Sequence, residues 1–369
     1  MVAKINADTS GGLKITSDTS GTLEIQSAGT TKFTVNSAGV DIPAIGTING
    51  LTSINGGQVG GNRNVIINGA QEVSQRHVGA SVPSSSQYVT DRWKVQSAGS
   101  AGDSQQIAST IAGFKSSLKY TSDASIAWNQ IGQQIEYKDY AHLVGEDVTI
   151  SFYAKANNTN GGSTALTVRT RTVTGEDGSA LFAGAGTTTS VTISTTAARY
   201  TVARTIPADS KGFSVEFVLG AHVNTDGYEI TGIQLELGTV TEFEHRSFGE
   251  ELTLCQRYFQ KTYDYDVAIG TNTIIGTHAS GGNNVSPTTS YIGINTAKFT
   301  SQMRDNPTIV VYDTAGNSGK STRFQYGVAE TDNQAATVAN IGTTGFNGYS
   351  ASAANLSGAR IHYTATSEL

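Results

Sequence analysis

The residues best equipped to contact a ligand are aromatic side chains flanked by amides. Trp128 is followed by Asn129 and Gln130, Tyr137 stands close to Tyr140, and Phe346 and Tyr349 bracket Asn347 and Gly348. A sugar ring asks for this combination, an aromatic face to stack on and amides to meet its hydroxyls. Each position is equally a natural place for a core or surface aromatic, so both uses stay open here. Carboxylates come in close pairs at Glu242 and Glu244 and at Asp264 and Asp266. Glycoside hydrolysis, however, needs two carboxylates facing each other across a cleft. Neighbours on one solvated strand face account for both pairs.

Other chemistry is absent by motif. The histidines at 77, 142, 222, 245, 278 and 362 show no metal-ligand spacing. There is no G-x-x-x-x-G-K-[ST] phosphate loop and no G-x-S-x-G elbow. Glu72 and Glu236 are the acidic positions a structural calcium would use, and they fall far short of its roughly six to eight oxygen ligands. No catalytic residue, no metal and no cofactor is expected. Asp91-Arg92-Trp93 reads as a buried aromatic beside an internal ion pair.

The elements that must position these residues are mostly strands. Val148, Ile150, Phe152 and Ala154 alternate with polar neighbours, as do Phe213, Val215, Phe217 and Leu219. Tyr228 and Ile230 continue the pattern, and after a break in phase so do Ile233, Leu235 and Leu237. Short alternating runs separated by Gly, Asn, Asp and Thr clusters indicate a β-sandwich of the jelly-roll kind. Gly175, Gly178, Gly184 and Gly186 mark a long mobile loop between residues 174 and 189. One helix stands out. Ser247 and Glu250 have capping-box spacing, and Phe248, Leu252, Cys255 and Phe259 make an apolar stripe. Glu250 and Glu251 in the first turn and Arg257 and Lys261 in the last suit the helix dipole. Cys255 on that stripe is a core thiol. Beyond it, runs such as Thr308-Ile309-Val310-Val311-Tyr312 and Arg360-Ile361-His362-Tyr363-Thr364 indicate a second, smaller sandwich.

Composition agrees with this outline. The chain has 369 residues with 42 Gly and only 5 Pro, and 15% of its residues are charged. That is too regular for disorder and too poor in helix formers for a helical protein. A net charge of −6 argues against nucleic acid as a partner. No run approaches the length of a membrane helix, so no membrane insertion is expected. The first residues hold no apolar signal core, so export by that route is not expected either.

The first 45 residues repeat with a period of ten: Ile5, Ile15, Ile25, Val35 and Ile45, with Leu13, Leu23 and Phe33 two residues ahead of the middle three. Each unit reads as a turn and a very short strand. Two apolar side chains per unit cannot offset an ordering entropy of roughly 1–2 kcal/mol per residue within one chain. Copies wound about a shared axis could bury Ile5, Leu13, Ile15, Leu23, Ile25, Phe33 and Val35 together. A parallel homotrimer is therefore expected. The overall expectation is a mainly-β chain: a short-strand repeat stem over 1–62, a jelly-roll-like sandwich over 63–248, a linking α-helix over 249–262 and a C-terminal β-sandwich over 263–369.

Several segments carry a family resemblance. Asn64-Val65-Ile66-Ile67-Asn68-Gly69, then Gln75-Arg76, Tyr88 and Asp91-Arg92-Trp93, resemble a module of bacteriophage tail-fibre proteins. Gln234-Leu235-Glu236, Phe243-Glu244-His245-Arg246-Ser247 and Cys255-Gln256-Arg257-Tyr258 resemble its closing half. Residues 359–369 are similar to the endings of many such fibres. The resemblance implies a trimeric virion fibre, made in the host cytoplasm and mounted on the tail. Its N-terminal region would attach to other tail or baseplate proteins, and its carbohydrate-binding-like jelly roll would adhere to host surface glycans. The alternatives are a glycan-degrading tailspike-type enzyme and a purely structural virion component.

Overall fold

The computed structural model describes residues 23–27, 30–36, 39–41, 63–157, 164–182, 186–223, 225–281, 291–325, 328–351 and 358–369. The chain is mainly β and divides into two compact units, Met1–Ile54 and Asn55–Leu369. In the first, β1 (Leu23–Ser27), β2 (Thr30–Asn36) and β3 (Gly39–Asp41) form an antiparallel meander. Its register sets Leu23 opposite Val35 and Ile25 opposite Phe33. Ile25 remains 51% exposed in the single chain. Ile5, Leu13 and Ile15 lie outside the described residues.

The second unit opens with a β-sandwich. Its early strands are β4 (Val82–Pro83), β5 (Ser85–Thr90), β6 (Trp93–Ser97), β7 (Asp103–Ala108), β8 (Ser116–Thr121) and β9 (Asn129–Ile135). The later ones are β10 (Asp147–Ala156), β11 (Thr164–Val173), β12 (Thr187–Ile193), β13 (Ala198–Thr205), β14 (Gly212–Leu219) and β15 (Gly227–Leu237). They sort into two six-stranded sheets, ordered β13-β10-β15-β8-β7-β4 and β12-β11-β14-β9-β6-β5. From β7 to β11 the chain leaves one sheet or returns to it at nearly every connection. The alternating residues expected to face inward do so. Ile150, Phe152, Phe217, Ile230 and Leu235 are fully buried in one core with Trp93, Leu118 and Ile131. The phase break in β15 is a β-bulge: Ser151 faces Gln234, but Tyr153 faces Thr231. Gly232 sits there at φ +59°, where a Cβ would lie 2.3 Å from the Phe114 ring.

Asn64 and Asn68 close the sandwich. The Asn64 amide donates to Ile233 O at 3.1 Å, and its Oδ1 accepts from Ile66 N and Leu235 N. Asn68 accepts from Val73 N and donates to Val73 O and Asp91 O. The opening segment is therefore clamped onto β15 through the Asn64 side chain.

Helix α1 (Tyr137–Tyr140) is a single turn, and α2 (Phe248–Gln256) is the expected helix, its Ser247 hydroxyl accepting from Glu250 N. Its apolar stripe differs from expectation. Phe248 is 40% exposed, Leu252 is half-buried, and Phe259 belongs to the following strand. Cys255 faces inward as expected, with Leu252 packed against the same cluster, and the helix adds Glu251 to that side, because the Asn68 backbone N–H needs its carboxylate as acceptor. Lys261 lies beyond the helix in that same strand, where its ammonium donates to Tyr265 O and Val267 O. Among the described residues, no helix is long and apolar enough to cross a membrane.

The remaining strands are β16 (Phe259–Lys261), β17 (His278–Gly281), β18 (Tyr291–Lys298) and β19 (Thr308–Tyr312), then β20 (Lys320–Gln325), β21 (Val328–Gly342), β22 (Gly345–Ala351) and β23 (Gly358–Thr366). They make one eight-stranded sheet around β23, which pairs with β16, β17, β19 and β20. Ile292, Ile294 and Phe346 meet Val311, Ile361 and Tyr363 in a second core. A buried charge network ties this part to the sandwich: Arg92 pairs with Glu368 and stacks on Tyr258, and Arg76 pairs with Glu368 at 2.8 Å. Arg257 grips Glu136 at 2.6 and 2.8 Å. The ion pair anticipated within Asp91-Arg92-Trp93 is thus replaced. Arg92 takes Glu368, Asp91 takes Gln75 and Arg76, and the Trp93 indole donates to Asn68 O.

Candidate functional site

The sheet β12-β11-β14-β9-β6-β5 turns Val95, Ile131, Phe217 and Val168 into the core. Strand alternation therefore sends the intervening residues to its outer face. Three rows cross that face by register. Lys94, Gly132, Glu216, Arg169 and Thr188 form the first, and Gln96, Gln130, Val218, Thr167 and Ser190 the second. Gln134, Ser214 and Arg171 form the third.

The outer face is not bare. Residues 180–182, from the loop expected to be mobile, lie across it. Gln134 Oε1 accepts from Ala180 N and Leu181 N at 3.0 and 3.2 Å, and Glu216 Oε1 accepts from Phe182 N at 2.9 Å. Gly132 makes room for this roof, since a Cβ there would lie 2.6 Å from Leu181 and 3.1 Å from Phe182. Glu216 is fully buried between Arg171 at 2.9 Å and Arg169 at 3.6 Å, so its charge is compensated in place. The roof needs those acceptors because its own amides are out of water.

Beside the roof runs a strip built for neutral polar contacts. Gln130 and Val218 are nearly buried in it, with Lys94, Gln96, Thr167 and Trp128 half-buried around them. Gln130 donates to Gln96 at 3.1 Å, and the Thr167 and Ser190 hydroxyls lie 3.0 Å apart. Trp128 stands just before Asn129, whose amide turns inward to accept from the buried Tyr228 hydroxyl. Trp128 stands one residue before β9, its carbonyl accepting from Ala98 N at 3.0 Å. Gly220, next to Trp128's cross-strand position, has open space where a side chain would be. An indole, two carboxamides, two hydroxyls and an ammonium can stack on a sugar ring and exchange hydrogen bonds with its hydroxyls. Glu216 is the one carboxylate of these rows: its Oε1 accepts from Phe182 N and the Ser214 hydroxyl, and its Oε2 faces Arg169 at 3.6 Å.

The other expected site residues are scattered. Tyr137 and Tyr140 sit past the opposite end of β9, their rings 5.7 Å apart and edge-to-face. Tyr140 is fully buried, hydrogen-bonded to Ser210, and burial pushes its hydroxyl up to about 12. It is a core residue and cannot be a platform, and Tyr137 packs against the same core. Phe346 is likewise corrected to core, 5.0 Å edge-to-face from Tyr363. Tyr349 is 44% exposed on the outer face of the eight-stranded sheet, opposite Thr337 and Gly293. Glu236 is filled by its own chain, accepting from Thr241 N, the Thr241 hydroxyl and Gln234 Nε2. Among the described residues, no three metal-ligating side chains gather. Lys94, Gln96, Thr167 and Ser190 were missed by sequence reasoning. The available signal was amides and hydroxyls at every second position of strands whose other positions are apolar.

The sequence matches no protein-family model and no curated protein. Solved structures to which part of the chain is similar include a carbohydrate-binding module in complex with β-1,4-galactotriose, at 12% identity, covering 48% of this chain and 99% of that one, TM-score 0.30. A xylan-binding domain from Paenibacillus barcinonensis matches at 15% identity over 46% of this chain and 99% of that one, TM-score 0.30. The enzymatically active domain of a bacteriophage CBA120 tailspike protein matches at 16% identity over 47% of this chain and 21% of that one, TM-score 0.30. Structural neighbours of this part of the chain thus include carbohydrate-binding modules and a phage tailspike domain.

Proposed function

We propose that this chain is a fibre protein of a tailed-phage virion that holds host surface glycans on the strip around Trp128, without cleaving them. What supports the glycan reading is the row Gln96, Gln130 and Thr167 beside Lys94 on the outer face of one sheet, with half-buried Trp128 one residue before the strand that carries Gln130. The tail-fibre-like segments and the ten-residue repeat support the virion role. A glycan array with the full chain identifies the ligand. Trp128→Ala should then weaken binding about tenfold or more, the scale of a buried aromatic anchor, with the fold unchanged by circular dichroism. Wild-type affinity in that variant would remove the strip from consideration. Incubation should leave the polysaccharide at its original length, and progressive shortening would favour the tailspike-type enzyme instead. A chain that binds no glycan would favour the purely structural component.

The homotrimer belongs to the same proposal. Ile25, at 51% exposure in one chain, is a side chain that association would cover, worth roughly 1.5–3 kcal/mol if buried completely. Sedimentation should give a mass of three chains for the full protein at micromolar concentration. A monomer there would end the stem hypothesis. Three weak sites on one fibre would also bind a surface far better than one.

A further inference from the structure

We propose a second binding site, on the outer face of the opposite sheet, that takes the acidic group of a surface polymer between Lys119 and Lys155. It goes beyond the Trp128 strip and does not depend on it. Strand register places Lys119 of β8 and Lys155 of β10 on either side of Glu229 in β15. These side chains stand on the face away from the core, since Leu118, Tyr120, Ala154 and Ile230 point inward. Two ammonium groups thus flank one carboxylate, leaving a net positive charge.

The carboxylate does not need both lysines. Glu229 is nearly buried and accepts from Thr110 N at 2.8 Å and Thr110 Oγ1 at 2.6 Å, with Lys155 Nζ at 3.4 Å. Burial pushes its pKa up, but the Thr110 bonds and Lys155 outweigh that and hold it below its usual value. Lys119 makes no ion pair among the described residues. A cavity of about 460 Å³ opens over these groups, lined by Lys119, Thr121, Lys155, Asn157 and Thr195 among others. That volume lies within the range of small-molecule sites.

A second observation points the same way. Asn157 also lines this cavity, and its buried Nδ2 has no hydrogen-bond partner among the described residues. A buried donor left unpaired is costly, and turning the Asn157 carboxamide toward the cavity would let an acceptor there satisfy it. Two ammonium groups, an amide donor and threonine hydroxyls suit an oxyanion on a hydroxyl-rich backbone. Sugar carboxylates and polymer phosphates share that chemistry.

Calorimetric titration of the full chain with tetragalacturonate, its methyl ester, and glycerol 3-phosphate separates the sources. One acidic probe should bind with an affinity that falls as salt rises, and the neutral ester should not bind. Lys119→Gln should weaken that probe about tenfold or more, the scale of a hydrogen bond to a charged group, while Lys119→Arg retains it. Lys119 has no ion-pair partner to lose among the described residues, so this variant tests the site even if changes at Lys155 disturb folding. Trp128→Ala should leave the acidic probe's affinity unchanged, so failure of the first site and failure of this one are told apart. Binding of neither acidic probe, or undiminished binding by Lys119→Gln, would overturn the proposal.

Discussion

Glu368→Ala is expected to lower the stability of the Asn55–Leu369 unit by about 3–5 kcal/mol, the cost of leaving a buried charge without its partner. Arg92 is 1% exposed, and Glu368 is its one carboxylate partner among the described residues. Its remaining contacts, Gln134 O and the Tyr258 ring, do not neutralise it. Arg76 would lose an ion-pair partner in the same change, keeping Asp91 at 3.6 Å and its contacts with the Tyr88 and Phe259 rings. Urea unfolding followed by tryptophan fluorescence reads the effect where it matters, since both tryptophans of the chain lie in the sandwich. The Arg92→Met, Glu368→Leu double variant should recover much of the loss, because it removes both charges together. A Glu368→Ala protein unfolding at the wild-type urea concentration would show that the network contributes little. The same network makes the eight-stranded sheet and the sandwich stabilise each other, so the change should be felt in a sandwich whose own sequence is intact.

Gly69→Ala is expected to cost about 3 kcal/mol, at the upper end for overpacking a filled site. A Cβ at Gly69 would lie 2.1 Å from Ile233 O, and that atom is backbone, so no side chain can swing aside. The opening segment and β15 are also locked together there, with Ile233 N donating to Gly69 O at 3.0 Å and Asn64 Nδ2 to Ile233 O. Gly249→Ala is the control: nothing stands within 4 Å of its Cβ position, and in a helix alanine should stabilise by up to about 1 kcal/mol. Both are measured by the same urea titration. Equal midpoints for Gly69→Ala and the parent would mean that the opening segment is not clamped onto β15.

Much of this fold was legible in the residues alone because a strand writes its two faces at every second position. Val148 to Ala154 and Phe213 to Leu219 were inward-facing as expected, and the phase break before Ile233 was already the β-bulge at Gly232. The Ser247 cap was legible for a similar reason, since a capping bond spans only three residues. Trp128 beside Gln130 could be named as a candidate, but its neighbours could not. Lys94 and Gln96 reach β9, and Thr167 reaches β14, only through strand register, which couples residues far apart in the chain. Burial was decided in the same way. Tyr140 and Phe346 looked like Trp128 and Tyr349 in sequence, yet what packs against each ring is set by elements distant from it. The helix stripe was misplaced because one long-range acceptor requirement, the Asn68 amide, turned Glu251 inward in preference to Phe248. Alternation, bulge and cap follow from local sterics and hydrogen bonding, which a sequence carries within a few residues. Which charge meets which, and which aromatic stays wet, follows from tertiary packing of segments that no local pattern connects.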